Sequence, residues 1–196
     1  MSVSARSVST QKLSRTATVC SASTFSPIRG ESAAIEAMTD FARISAATIG
    51  TDASLEQTNA TMIARGVRLL LVTTANGEVA GLVSVRDLMG ETPIQVAQAK
   101  GLRVPELRVA DLMCPVEDID KVDLEAVLRA KVNDIVETLR SLGRQHLLVQ
   151  DADPATGGPR VRGIFSATQI GRQLGAPVQG FDLARTFAEI EAALAG

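Results

Sequence analysis

The densest apolar runs in this chain are two short ones, Leu69-Leu70-Leu71-Val72 and Leu147-Leu148-Val149. Each follows a stretch with helical spacing and a glycine. Between Ser54 and Arg65, the residues Leu55, Thr58, Met62 and Ile63 recur at the period of an amphipathic helix, and Gly66 stands where such a helix stops. The apolar run then leads to Asn76-Gly77 and a second run, Val79 to Val85, a pattern that predicts a β-hairpin. Leu88 and Met89 begin another helical stretch. Thr92-Pro93 reads as an N-cap with proline at the first helical position, and Gly101 as the stop.

The second half runs through the same order. MIARGVRLLLV (62–72) matches LRSLGRQHLLV (139–149) at an offset of 77, with Gly66 on Gly143. Gly81-Leu82-Val83-Ser84 matches Gly163-Ile164-Phe165-Ser166 at an offset of 82, and Met38-Thr39 matches Met113-Cys114 at 75. The loop Asp151 to Pro159 absorbs the difference between the first two offsets. Three blocks in one order make an internal repeat. Each unit has a small sheet that cannot bury both faces alone, so the expectation is an α/β (α+β) chain of two units packed about a pseudo-twofold. The boundaries read as a flexible Ser/Thr-rich tail at 1–33, a first repeat at 34–101, a second at 102–176, and a C-terminal amphipathic helix at 177–196. In that last segment Leu183, Phe187, Ile190 and Leu194 form a stripe that must be covered, by its own module or by a second chain.

Composition removes several function classes. The chain has 196 residues, 45% hydrophobic, enough for a proper core. Aromatic residues are 3%, without Trp or Tyr, which argues against a base-stacking surface, and a net charge of −2 lacks the basic excess usual in a nucleic-acid or membrane-surface binder. Cys20, Cys114 and the single His146 do not make a zinc site. Two isolated cysteines without a secretory signal fit a reducing, cytoplasmic setting. The N-terminal composition overlaps with organellar transit peptides and reads more simply as a disordered tail. No Gly-x-Ser-x-Gly, Walker loop or Gly-x-Gly-x-x-Gly fingerprint supports an enzyme.

Ala47-Thr48-Ile49, Asp52-Ala53-Ser54-Leu55, Gly66 to Val72, and Gly81 to Leu88 resemble a CBS motif, the domain named after cystathionine β-synthase. Val109 to Met113, Gly143 to Val149 and Gly163 to Gln169 resemble a second copy. The pair is similar to a stand-alone Bateman module over about residues 36 to 175. The resemblance implies a β-α-β-β-α fold per copy and a cleft between copies that takes AMP, ADP, ATP or S-adenosylmethionine. It also implies a homodimer and a separate regulated partner protein. Carried onto this sequence, it places phosphate contact at Ser84 and Arg68, ribose contact at Asp87, and the walls of the base slot at Thr48 and Ile49. Val67, Val85 and Arg86 are further candidates for the same slot.

Plainer readings stand beside these. Ser84-x-x-Asp87 is also a capping box, and so is Ser166-x-x-Gln169. Arg68 can be a solvated strand residue and Thr48 an ordinary strand residue. His146 can face a phosphate or sit in the sheet. In the second copy Gln169 replaces the acid, and Glu125-Ala126 align with Thr48-Ile49 at the offset of 77. One competent nucleotide site per chain is expected, around the first copy. The alternative is a structural dimerisation or scaffold protein with decayed sites.

Overall fold

A computed structural model describes residues 27–176 and 183–195; most of the tail, Cys20 and Phe181 lie outside the described residues. In the first unit, β2 (Thr48–Gly50), α2 (Leu55–Arg65), β3 (Leu69–Thr73), β4 (Val79–Ser84), α3 (Val85–Leu88) and α4 (Thr92–Lys100) follow one another. The second unit has β6 (Lys121–Asp123), α5 (Leu124–Arg129), α6 (Val132–Leu142), β7 (His146–Ala152), β8 (Pro159–Ser166) and α7 (Ala167–Gln173), followed by α8 (Leu183–Ala195). This is the β-α-β-β-α order expected, given twice.

Local chemistry places the boundaries. Ser54 Oγ accepts from the Gln57 N–H at 3.1 Å, and Gln57 Oε1 accepts from the Ser54 N–H at 2.9 Å, closing the start of α2. Gly66 (φ 62°) and Gly143 (φ 63°) end α2 and α6 in the left-handed region, which a side chain would strain. The hairpin forms at Asn76-Gly77, with β3 and β4 antiparallel. Two local expectations shift. Glu91, not Thr92, is the N-cap of α4, so Pro93 is the second helical residue. On α2, Thr58 and Met62 are buried but Ile63 is 72% exposed, because the first core is small and meets only one narrow face of the helix.

Both apolar strand runs are buried on both faces, which is why they do not alternate. Leu70 and Val72 enter the first core, Leu147 and Val149 the second, while Leu71 and Leu148 join a third cluster drawn from both sheets. That third cluster, with Ile164, Leu69, Leu82 and Ile119, seals the two units together.

Each sheet is completed by a segment that precedes the other unit. The sheets run β2-β3-β4-β5 and β1-β8-β7-β6, where β1 is Thr39–Asp40 and β5 is Cys114–Pro115. Thr39 pairs with Ile164 as Cys114 pairs with Leu82. A Cβ at Gly81 would stand 2.5 Å from the Cys114 carbonyl oxygen, and one at Gly163 would stand 2.6 Å from that of Thr39. The three blocks of the repeat thus meet in space: each glycine is where the crossing strand passes. The short helix α1 (Ala34–Ala37) also packs into the second core. Residues 27–33, read from sequence as tail, lie on the second unit too, with Ile28 5% exposed and its N–H on the Gln173 carbonyl at 3.3 Å. Helix α8 covers the second core through Phe187 and Ile190.

The strand register corrects one alignment. Thr48 pairs with Leu71 and Lys121 with Leu148, so Thr48-Ile49 correspond to Lys121-Val122, not to Glu125-Ala126. The second unit inserts α5 after its opening strand, and Glu125 lies exposed on that helix.

Candidate functional site

A cleft of about 210 Å³ opens where the first unit's β4–α3 junction faces the second unit. Ser84, Arg86 and Asp87 come from that junction, with Leu69 and Leu82 as its apolar floor. Opposite stand Cys114 and Asp118-Ile119-Asp120, which precede β6, and Gly143 to His146, which lead into β7. The swapped strand β5 brings Cys114 beside Leu82 and so carries the second unit's opening segment over the cleft.

The Asp87 carboxylate turns back on its own junction. Its Oδ2 accepts from the Ser84 N–H and the Ser84 hydroxyl, each at 2.7 Å. The Asp87 half of the capping box read from the sequence is therefore formed, while the Ser84 hydroxyl turns to Asp87 and not to a helix N–H. In the second unit it is not: Gln169 Oε1 instead accepts from the Thr39 hydroxyl at 2.9 Å, across the swapped strand β1.

Arg144 crosses the far wall. Its Nε donates to Asp120 Oδ2 at 3.1 Å and its guanidinium to the Asp118 carbonyl at 3.3 Å. His146 opens β7 and also lines the cleft, so it belongs to sheet and cleft at once. Burial pushes its pKa down to about 4, opposed only in part by the Asp87 carboxylate, so at neutral pH the imidazole is uncharged. The Cys114 thiol is pushed up by burial, which keeps it protonated.

The structure brings Ser84, Arg86 and Asp87 together in this cleft. Thr48, Ile49, Val67 and Arg68 are not among its lining residues. Ile49 and Val67 pack against the first core, while Thr48 and Arg68 are exposed. The pseudo-twofold explains the split. Arg144 and Gln145 are the second-unit counterparts of Val67 and Arg68, and they line the cleft around Asp87, so the second unit's helix end and the segment before its opening strand face the first unit's junction. Asp118, Asp120 and Arg144 were missed for this reason. The repeat held the signal: lining residues taken from the first copy needed replacing by their equivalents in the second.

Among the described residues no helix is long and apolar enough to cross a membrane, and no cluster of three or more His, Cys, Asp or Glu residues could hold a metal ion.

Residues 35–92 match the family model of the CBS domain. No curated protein sequence matches the chain. Among solved structures, an uncharacterized conserved protein from Pyrococcus horikoshii superposes with a TM-score of 0.55 at 14% identity, covering 79% of this chain and 100% of its own. CBSX2, a protein of Arabidopsis thaliana, in complex with AMP superposes with a TM-score of 0.51 at 23% identity, covering 73% and 95%. The CBS domain of a bacterial CNNM/CorC family Mg²⁺ transporter, in complex with an inhibitor, gives 0.52 at 17% identity, covering 77% and 80%. These likenesses are of fold.

Proposed function

We propose that the chain, whose residues 35–92 match the CBS domain and whose second half repeats that fold, is a tandem CBS-domain protein acting as a non-catalytic regulatory module that senses an adenosine nucleotide. The observation that carries the reading is the cleft between the units, where Ser84 and Asp87 of one face Arg144, Gln145 and His146 of the other. A ligand held there touches both units and biases their relative geometry, which a partner protein can read. The AMP bound by CBSX2, a protein of the same fold, supports adenosine chemistry. Asp87 supplies the carboxylate for the ribose hydroxyls, and Ser84 and Arg86 supply polar contacts beside it. With Gln169 already engaged by Thr39, the reading is one nucleotide per chain.

The regulated protein is a separate chain, and the module acts as a homodimer in the cytoplasm. Ile63 and Ile94 on the first unit's helices and Leu128 and Leu142 on the second unit's are exposed, with Met89 just after α3, and this apolar surface supports a second copy as its cover.

A scaffold without ligand is the second reading, favoured by the closure of Asp87 onto Ser84. Thermal melting with AMP, ADP, ATP and S-adenosylmethionine separates the two. A ligand that binds only the native state raises the melting temperature. The sensor reading predicts a rise with an adenosine ligand that is lost in Asp87→Ala; no rise with any of them on folded, ligand-free protein supports the scaffold.

A further inference from the structure

The opening strands of the two units share one register against β3 and β7. The Leu148 N–H donates to the Asp120 carbonyl as the Leu71 N–H donates to that of Ala47, at 3.2 and 3.0 Å. With Thr48 and Lys121 at equivalent places in the strand register, counting back three residues sets Asp118 on Ser45. Asp118 and Asp120 therefore occupy the positions of Ser45 and Ala47. The fold asks for no acid at either place. Both acids stand in the cleft that contains Asp87.

Their effect on the cleft is electrostatic. Asp87, Asp118 and Asp120 face two cations, Arg86 and Arg144, and Arg144 is bonded to Asp120. His146 is neutral, so the lining carries one net negative charge. A phosphate monoester brings about −1.5 to −2 charges at neutral pH, and each further phosphoryl group adds roughly one more. Every added charge is repelled by the wall it enters, most strongly where water is partly excluded.

We propose that this cleft selects a nucleoside bearing at most one phosphate, and that Asp118 and Asp120 are the residues that discriminate against di- and triphosphates. The inference rests on the nucleotide reading above and adds to it the ligand's charge class. Adenosine and AMP bind; ADP and ATP bind progressively more weakly.

Calorimetric titration of the full chain tests this with adenosine, AMP, ADP, and ATP both in chelator and with excess Mg²⁺. The same titrations are made on Asp118→Asn, Asp120→Asn and, as a charge control outside the cleft, Asp123→Asn. The expected result is AMP tighter than ATP by about tenfold or more, with or without Mg²⁺. Asp118→Asn or Asp120→Asn narrows that ratio by about threefold or more, and Asp123→Asn leaves it unchanged. ATP binding as tightly as AMP in either buffer overturns the selection while leaving the nucleotide reading intact. A ratio unmoved in both cleft variants overturns the role of the two acids. Binding of none of the four compounds overturns the nucleotide reading and the selection together.

Discussion

Asp87 and Ser84 are locked to each other at the first unit's strand-to-helix junction, with one carboxylate oxygen accepting from both the Ser84 amide and its hydroxyl at 2.7 Å. The same aspartate is the proposed ribose ligand, so its two roles must be separated by experiment. Asp87→Ala removes the cap and should lower stability by about 1 kcal/mol without any ligand. Asp87→Asn keeps an acceptor for the Ser84 amide and should lose less. Urea denaturation of the three proteins checks this, and Asn retaining the stability while losing AMP binding assigns the charge to the ligand.

Gly81 and Gly163 should both resist substitution, for the same reason in each unit. Alanine at either drives a methyl group into backbone, at Cys114 or at Thr39. Overpacking of this kind costs about 1–3 kcal/mol. Chemical denaturation of Gly81→Ala and Gly163→Ala should show comparable losses. Wild-type stability in either would mean that the swapped strand can lift away at little cost.

His146 predicts a loss of stability on mild acidification. Its folded pKa, about 4, lies below the ordinary 6.5, so between those values the unfolded chain takes up a proton that the folded chain does not. Stability therefore rises with pH across that window and is fully present above it. The contribution is on the order of 2 kcal/mol between pH 7 and 4. His146→Gln should flatten the denaturation midpoint over that range, and an unchanged slope in the variant would place the titration elsewhere.

A lower window belongs to Asp40. It accepts two bonds from Arg162 at 2.8 and 2.9 Å, tying the swapped strand β1 to β8, and the guanidinium holds its pKa below the usual carboxylate value. This stability is present above about pH 4 and is lost as pH falls through the depressed folded pKa. Arg162→Ala should cost about 2 kcal/mol at neutral pH and shrink the acid-induced loss. Acid denaturation curves of the two proteins make the comparison.

The exposed Ile63, Met89 and Ile94 predict self-association through the first unit. Light scattering should find a dimer, and a combined Ile63→Glu and Met89→Glu variant should be a folded monomer, since neither side chain is buried in its own chain.

The repeat was legible because its fixed points carry backbone demands. Gly66 and Gly143 need the left-handed region, Gly81 and Gly163 need space, and the two apolar runs need burial on both faces. What crosses between units was less legible. Nothing local in Met38-Thr39 or Met113-Cys114 says which sheet they join, because a two-residue strand takes its place from its partner. The lining of the cleft failed on the same point. Thr48 and Ile49 belong to the unit whose junction bears Asp87, whereas the pseudo-twofold presents Asp118, Asp120 and Arg144 of the other unit to it. The insertion of α5 hid their equivalence from an alignment anchored on the helix.

One adenosine-nucleotide site per chain, built around Asp87 and open to the second unit, is the arrangement on which the sensor function stands or falls. Calorimetric titration of AMP into the wild type, Asp87→Asn and Gln169→Ala tests it most directly. The expected stoichiometry is one per chain, with binding abolished in Asp87→Asn and retained in Gln169→Ala. Two sites per chain, or undiminished binding in Asp87→Asn, would contradict it.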